Sequence, residues 1–215
     1  MASQAKANKS SRGSVRKNTL REKAAKQRRN QNMIIIGAAA VFLLVIGAII
    51  FVNVRNAQPV AGEEALPSLG NMHIDFGSPS PITYNSTPPT SGPHYGNLVG
   101  WGVYNEPQRY EHLIHNLEDG GVVVYYQCPD GCPEIVDELR QIVQPYISAG
   151  RHVVMVPNDP AWSINGGPLL QKDMEAKIAL TAWQHILKLD TVDTEKIKSF
   201  IDHYEGIDHH VAGIG

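Results

Sequence analysis

Cys128 and Cys132 are the only two cysteines of the chain, and they bracket Pro129-Asp130-Gly131. Two thiols at this spacing can hold a soft metal ion, close a disulfide, or cycle between dithiol and disulfide. Val122-Val123-Val124-Tyr125-Tyr126 precedes them and has the β-branched and aromatic character of a buried strand. The apolar stripe Ile135, Val136, Leu139, Ile142, Val143, Tyr146 and Ile147 follows and predicts a helix, with Pro145 set to kink or end it early. Cys132 then falls at the N-cap and Pro133 at the preferred first helical position. There, unsatisfied N–H groups and the helix macrodipole favour a thiolate.

Histidines are the natural partners for such thiols, because thiolate and imidazole together suit copper or zinc. His94 ends the run Pro88-Pro89-Thr90-Ser91-Gly92-Pro93, whose proline and glycine restrict the backbone. That rigidity either wraps the domain surface or aims His94 at a site with little entropy lost on binding. His112 and His115 lie three apart, so a helix over Tyr110 to Glu118 would carry both on one face, and a strand would place them on opposite faces. His94 and His115 are the leading candidates to complete a metal site with Cys128 and Cys132, and His73 comes next. His112 is weaker. His152 opens a strand-like run and is expected to be structural, while His209 and His210 are expected in solvent near the C-terminus. The three tryptophans are expected in the core or at an interface.

His152 to Val156 reads as a second strand, so strand, helix and strand make a βαβ unit with parallel strands. Ile178 to Trp183 and Ile186 to Leu189 read as two more strands. Asp193 is placed to cap a last helix whose stripe is Ile197, Phe200, Ile201 and Tyr204. The expected class is α/β, a thioredoxin-like β-α-β-β-β-α domain with loop in place of the middle helix.

The N-terminal segment fixes the setting. Residues 33–52 are twenty consecutive uncharged, almost wholly apolar residues. As a helix they would span the ~30 Å hydrocarbon core of a bilayer. Residues 1–32 carry ten Lys or Arg and a single acid, Glu22. The positive-inside bias predicts a cytoplasmic N-terminus and a C-terminal domain outside. A cleaved signal peptide is the alternative, against which stand the long basic region and an apolar run longer than a usual signal core. The tail, 1–32, reads as a disordered arm that meets anionic lipid headgroups. Residues 53–68 read as a linker and 69–215 as one exterior domain. From Asn53 onward nine Lys or Arg face twenty Asp or Glu, a net charge of −11 that argues against nucleic acid as a partner. No phosphate loop, Ser-His-Asp pattern or nucleophile elbow is present.

Cys-Pro-Asp-Gly-Cys-Pro, after a Val- and Tyr-rich strand and before an amphipathic helix, resembles the copper site of Sco-type copper chaperones. In that family two cysteines and a distant histidine bind copper, so the resemblance implies Cys128 and Cys132 as ligands. A longer resemblance is to the uncharacterised family called domain of unknown function 3105. It rests on His73, Pro-Pro-Thr-Ser-Gly-Pro-His-Tyr at 88–95, His115-Asn-Leu-Glu-Asp-Gly to 120, the cysteine-bearing strand, and Ile178-Ala-Leu-Thr-Ala-Trp183. Where that family pattern usually has Leu-Glu-His-Gly, this chain has Asp119, which can also ligate a metal. The resemblance implies a fold and a recurring histidine set, with no established activity.

The expected protein is therefore a single-pass membrane protein whose exterior domain binds or delivers copper, with zinc as the alternative ion. Its expected partners are the lipid bilayer, the metal ion and a membrane protein complex. A thiol-disulfide oxidoreductase, and an accessory domain stapled by a structural disulfide, stand as alternatives. The charge asymmetry predicts that protease added to intact cells digests the domain after Asn53 while the basic tail is protected. Protection of the domain with an accessible tail would reverse the orientation.

Overall fold

The computed structural model describes residues 59–210 and, before them, 26, 28, 31–33 and 35–50. Most of the basic tail, residues 51–52 of the expected span, and 53–58 of the expected linker lie outside the described residues. The chain divides into two units, with the boundary after Arg55.

The first unit holds α1, Gln31–Ile50, with a mean hydropathy of 3.0. Its large apolar side chains, such as Phe42 and Leu44, are exposed, so the helix is apolar all round. Twenty residues at 1.5 Å each make it long and apolar enough to cross a membrane.

The second unit is a mixed α/β domain. Its elements are β1 (Glu63–Ala65), β2 (His73–Ile74), β3 (His94–Tyr95), β4 (Gly102–Val103), α2 (Tyr110–Glu118), β5 (Val122–Tyr126), α3 (Pro133–Ser148), β6 (Val153–Pro157), β7 (Ile178–Ala182), β8 (His185–Leu189) and α4 (Thr194–Tyr204). Six strands form one sheet in the order β1-β8-β7-β5-β6-β4. β5 and β4 run parallel to β6, whereas β7, β8 and β1 join by antiparallel pairings. β2 and β3 form a separate parallel pair.

The strand period decides the two cores. Val122, Val124, Val153 and Met155 face α3 and α4, where Leu139, Val143, Ile197, Phe200 and Ile201 pack. Val123, Tyr125, Val154 and Val156 face the other way, against Leu113, Ile114 and Leu117 of α2. β5 and β6 are thus apolar on both faces, the mark of strands covered by helices on both sides. Cys132 is the N-cap of α3, Pro133 occupies its first turn, and Pro145 lies inside the helix without ending it. Asp193 caps α4 by accepting a hydrogen bond from the Lys196 amide at 3.1 Å.

Two expectations change. Residues 63–65, expected to be linker, pair with β8 as the sheet's edge strand. Glu63 accepts a hydrogen bond from Tyr204 of α4 and lies 3.5 Å from His185 Nδ1, so side chains as well as the backbone ladder dock this strand. The Pro-rich run is not a surface wrap either. Pro88 to Tyr95 is buried, and a Cβ on Gly92 would come within 3.1 Å of the Tyr84 ring and 3.2 Å of Leu69. Thr90 and Ser91 are fully inside, and Ser91 Oγ accepts from the Leu69 amide at 3.0 Å.

The Gly120-Gly121 turn between α2 and β5 leaves no room for a side chain. A Cβ on Gly121 would sit 2.5 Å from the Asn116 carbonyl and 2.6 Å from the Trp101 ring. Gly121→Ala should lower stability by about 3 kcal/mol, moving Tm by on the order of 10 °C in thermal melts of the detergent-solubilised chain. An unchanged Tm would show that the turn is not so closely packed.

Candidate functional site

Four short segments converge at the C-terminal end of α2. In the parallel pair β2–β3, His73 stands in register with His94, and their ring centroids are 4.9 Å apart. α2 supplies His115 and Glu118, three residues apart and so on one helix face. The stretch after α4 supplies His210. One ligand atom from each of His73, His94, His115 and Glu118 lies within 4.8 Å of the others, and His115, Asp119 and His210 form a second such group. The partial negative charge at a helix C-terminus favours cations at this position.

Glu118 is the centre of the arrangement. It is 1% exposed, and Asn71 Nδ2 donates to its Oε1 at 2.9 Å. Around Oε2 stand His94 Nε2 at 2.9 Å, His210 Nε2 at 3.4 Å and His73 Nε2 at 3.6 Å. Burial pushes the carboxyl up, but the Asn71 hydrogen bond and the neighbouring His94 and His210 outweigh it and hold Glu118 below its ordinary range.

His94 is fully buried, and its Nδ1 lies 2.8 Å from the Gly92 carbonyl. A carbonyl has no proton to give, so Nδ1 carries the proton and donates. Nε2 then faces a carboxylate oxygen. Either a second proton sits between them or a metal ion does. A ring nitrogen donating to a backbone carbonyl while the other points at a ligand position is the usual setting of a metal-bound histidine.

His115 is 9% exposed, and its Nδ1 is buried without a hydrogen-bond partner. Burial, ahead of the opposing pull of Asp119, holds its pKa below the ordinary histidine range, so the neutral, ligand-competent form is favoured. An unpaired buried imidazole nitrogen is costly in the absence of a ligand. His73 is half exposed and leaves the site open to solvent. Asn116 anchors the segment between β3 and β4. Its Nδ2 donates to the Val99 carbonyl at 2.7 Å, and its Oδ1 accepts from the Val99 amide at 2.9 Å.

The cysteines lie elsewhere. Cys128 and Cys132 are joined in a disulfide, at the far end of β5 from Glu118. Five strand residues at ~3.3 Å each put on the order of 16 Å of chain between the two places. The cavity at the disulfide, about 430 Å³, is lined by Asp173, Lys177 and Asp190 among others and by no histidine. The single site expected of Cys128, Cys132, His94, His115 and His73 thus divides: the histidines come together, and the cysteines do not join them.

The remaining histidines also separate. His112 contacts Asn97 at 3.0 Å and the Phe76 ring, outside the cluster. His152 stacks on Trp101 at 4.5 Å, a packing role as expected. His209 and His210 are not simply in solvent. The His209 ring lies against Trp183 at 5.8 Å, and its amide donates to the Glu118 carbonyl at 2.9 Å. His210 Nδ1 lies 3.2 Å from Asp119 and 3.0 Å from Asp208. Glu118 and His210 were therefore missed as site residues. Glu118 carried a signal, since it follows His115 at the helical spacing of three.

Residues 76–211 match the family model described as "Protein of unknown function (DUF3105)", and the chain belongs to that family. No curated protein and no solved structure matches.

Burial is the first cause that lowers the pKa of His112, His115, His185 and His209. Each therefore binds a proton less readily in the folded chain than in the unfolded chain. Stability from these groups is present above the ordinary histidine pKa of about 6.5 and is lost as pH falls through their lower folded values. His210, whose pKa is raised, opposes the trend alone among these histidines. The metal-free protein should melt at a lower temperature at about pH 5.5 than at about pH 7.5. An equal or higher Tm at the acid pH would contradict this balance.

Proposed function

We propose that this protein is a membrane-anchored, extracytoplasmic metal-binding protein whose site is His73, His94, His115 and Glu118. The observation that carries the reading is the buried His94–Glu118 pair, with Nδ1 of His94 already committed to the Gly92 carbonyl. Beside it, His115 offers an unpartnered buried nitrogen. Three imidazoles and one carboxylate suit Zn(II) or Cu(II). Copper thus remains the proposed cargo, with zinc as the alternative, but imidazole and carboxylate replace thiolate as the donors. Bound there, the ion would displace a proton from between His94 and Glu118, so loading should release protons.

Anchoring by α1, with the basic tail in the cytoplasm and the acidic domain outside, is supported by the charge asymmetry across the apolar span. The acidic domain would concentrate cations near the membrane surface. Delivery of the ion to a membrane protein complex is the role this setting suggests. A thioredoxin-like kinship is supported by β5-α3-β6-β7-β8-α4 and the strand order β8-β7-β5-β6. The partly exposed Cys128–Cys132 bond at the first turn of α3 favours a second reading, thiol-disulfide exchange with a protein dithiol.

Metal titration of the apoprotein separates the readings. His94→Ala should weaken Zn(II) or Cu(II) binding by about 10–100-fold or more, whereas the double Cys128→Ser, Cys132→Ser variant should bind as wild type does. Loss of binding in the cysteine variant, with His94→Ala unaffected, would move the site to the thiols. A chain that binds no metal but exchanges its disulfide with a dithiol would leave the second reading.

A further inference from the structure

The donors around Glu118 exceed what one ion can use. A four-coordinate ion is satisfied by His73, His94, His115 and Glu118. Asp119 and His210 remain, and with His115 they form a group of their own. We infer, building on the metal-binding reading, that His115, Asp119 and His210 form a second divalent-cation position adjoining the first, with Glu118 and His115 between the two.

The geometry of the shared residues supports two positions. His115 turns Nε2 toward Asp119 Oδ2, at 3.9 Å, while its Nδ1 is buried and unpartnered. His115 is thus common to the two groups of candidate ligands. The Glu118 Oε2 atom is 2.9 Å from His94 Nε2 on one side and 3.4 Å from His210 Nε2 on the other. A carboxylate placed between two sets of imidazoles is the natural bridge between two ions, as in sites whose metals lie about 4 Å apart.

Charge points the same way. Glu118, Asp119 and Asp208 all face these imidazoles, so three carboxylates gather where one divalent ion would be neutralised by two. A second dication needs that excess.

The C-terminal stretch is also held in place to supply its ligand. The Gly206 amide donates to the Gly120 carbonyl at 2.8 Å, and the His209 amide donates to the Glu118 carbonyl at 2.9 Å. These bonds tie residues 206–209 to the turn that carries Asp119, which sets His210 over it. A Cβ on Gly120 would approach the Ile207 backbone to 2.8 Å, so the close contact depends on glycine there.

The test is ion stoichiometry on the full chain in detergent, with Co(II) or Zn(II) titrated into apoprotein and the retained metal measured after desalting. Wild type should bind two ions per chain in two steps. Asp119→Asn should weaken the second step by about 10–100-fold and leave the first unchanged, and His210→Ala should weaken the second step more than the first. Co(II) at both positions should show magnetic coupling that is absent in His210→Ala. Wild type retaining a single ion that His94→Ala removes would overturn the second position and leave the first intact. Two ions retained equally by wild type and His210→Ala would also overturn it. Wild type binding no ion would overturn both readings.

Discussion

A carboxylate that is 1% exposed must be compensated where it stands, and Glu118 organises its surroundings to that end. An ionised carboxyl withdrawn from water without partners is strongly unfavourable. Four side chains from three separate segments meet the demand: Asn71 and His73 at the start of β2, His94 of β3 and His210 after α4. Each brings its own backbone with it. The β2–β3 pair, the buried Pro88–Tyr95 run and the docked C-terminal stretch all converge on this one residue at the end of α2. An arrangement held in this way is preorganised, because its side chains are ordered by the fold itself.

The sheet then separates this chemistry from the thiols. β5 runs from the Glu118 turn to the cysteine loop, so the two candidate sites share a strand but occupy its opposite ends. α2 packs on one face of β5 while α3, whose N-cap is Cys132, packs on the other. The imidazole site has the solvent-open His73 edge as its access, and the disulfide has its own cavity. Nothing in this arrangement requires the two to act on the same ligand.

Much of this was legible because it is local. The valine run of β5, the stripe and Pro133 start of α3, the strands β6 to β8 and the Asp193 cap of α4 each follow from residue types within a few positions. The helix that puts His115 beside Glu118 was not decided by the sequence, since the His112 and His115 spacing fits one helix face or the two faces of a strand. Residues 63–65 were not legible, because Glu-Glu-Ala has no strand pattern and becomes a strand only by borrowing the ladder of β8. The importance of His210 was equally hidden, since its neighbours in sequence do not reveal that the chain folds back over Asp119.

By itself, the sequence determined the apolar span, the α/β class, the positions of β5 to β8, α3 and α4, and the presence of chemically capable side chains at His73, His94, His115, Cys128 and Cys132. These depend on periodicity, caps and residue type, which act over short separations. Only the tertiary structure decided which of those side chains meet. The register of β2 against β3 brings His73 to His94, and the length of β5 keeps the cysteines from both. Burial at the end of α2 makes Glu118 the common partner. Such encounters are set by how sheet and helices pack, and packing joins residues far apart in the chain for which no local pattern exists.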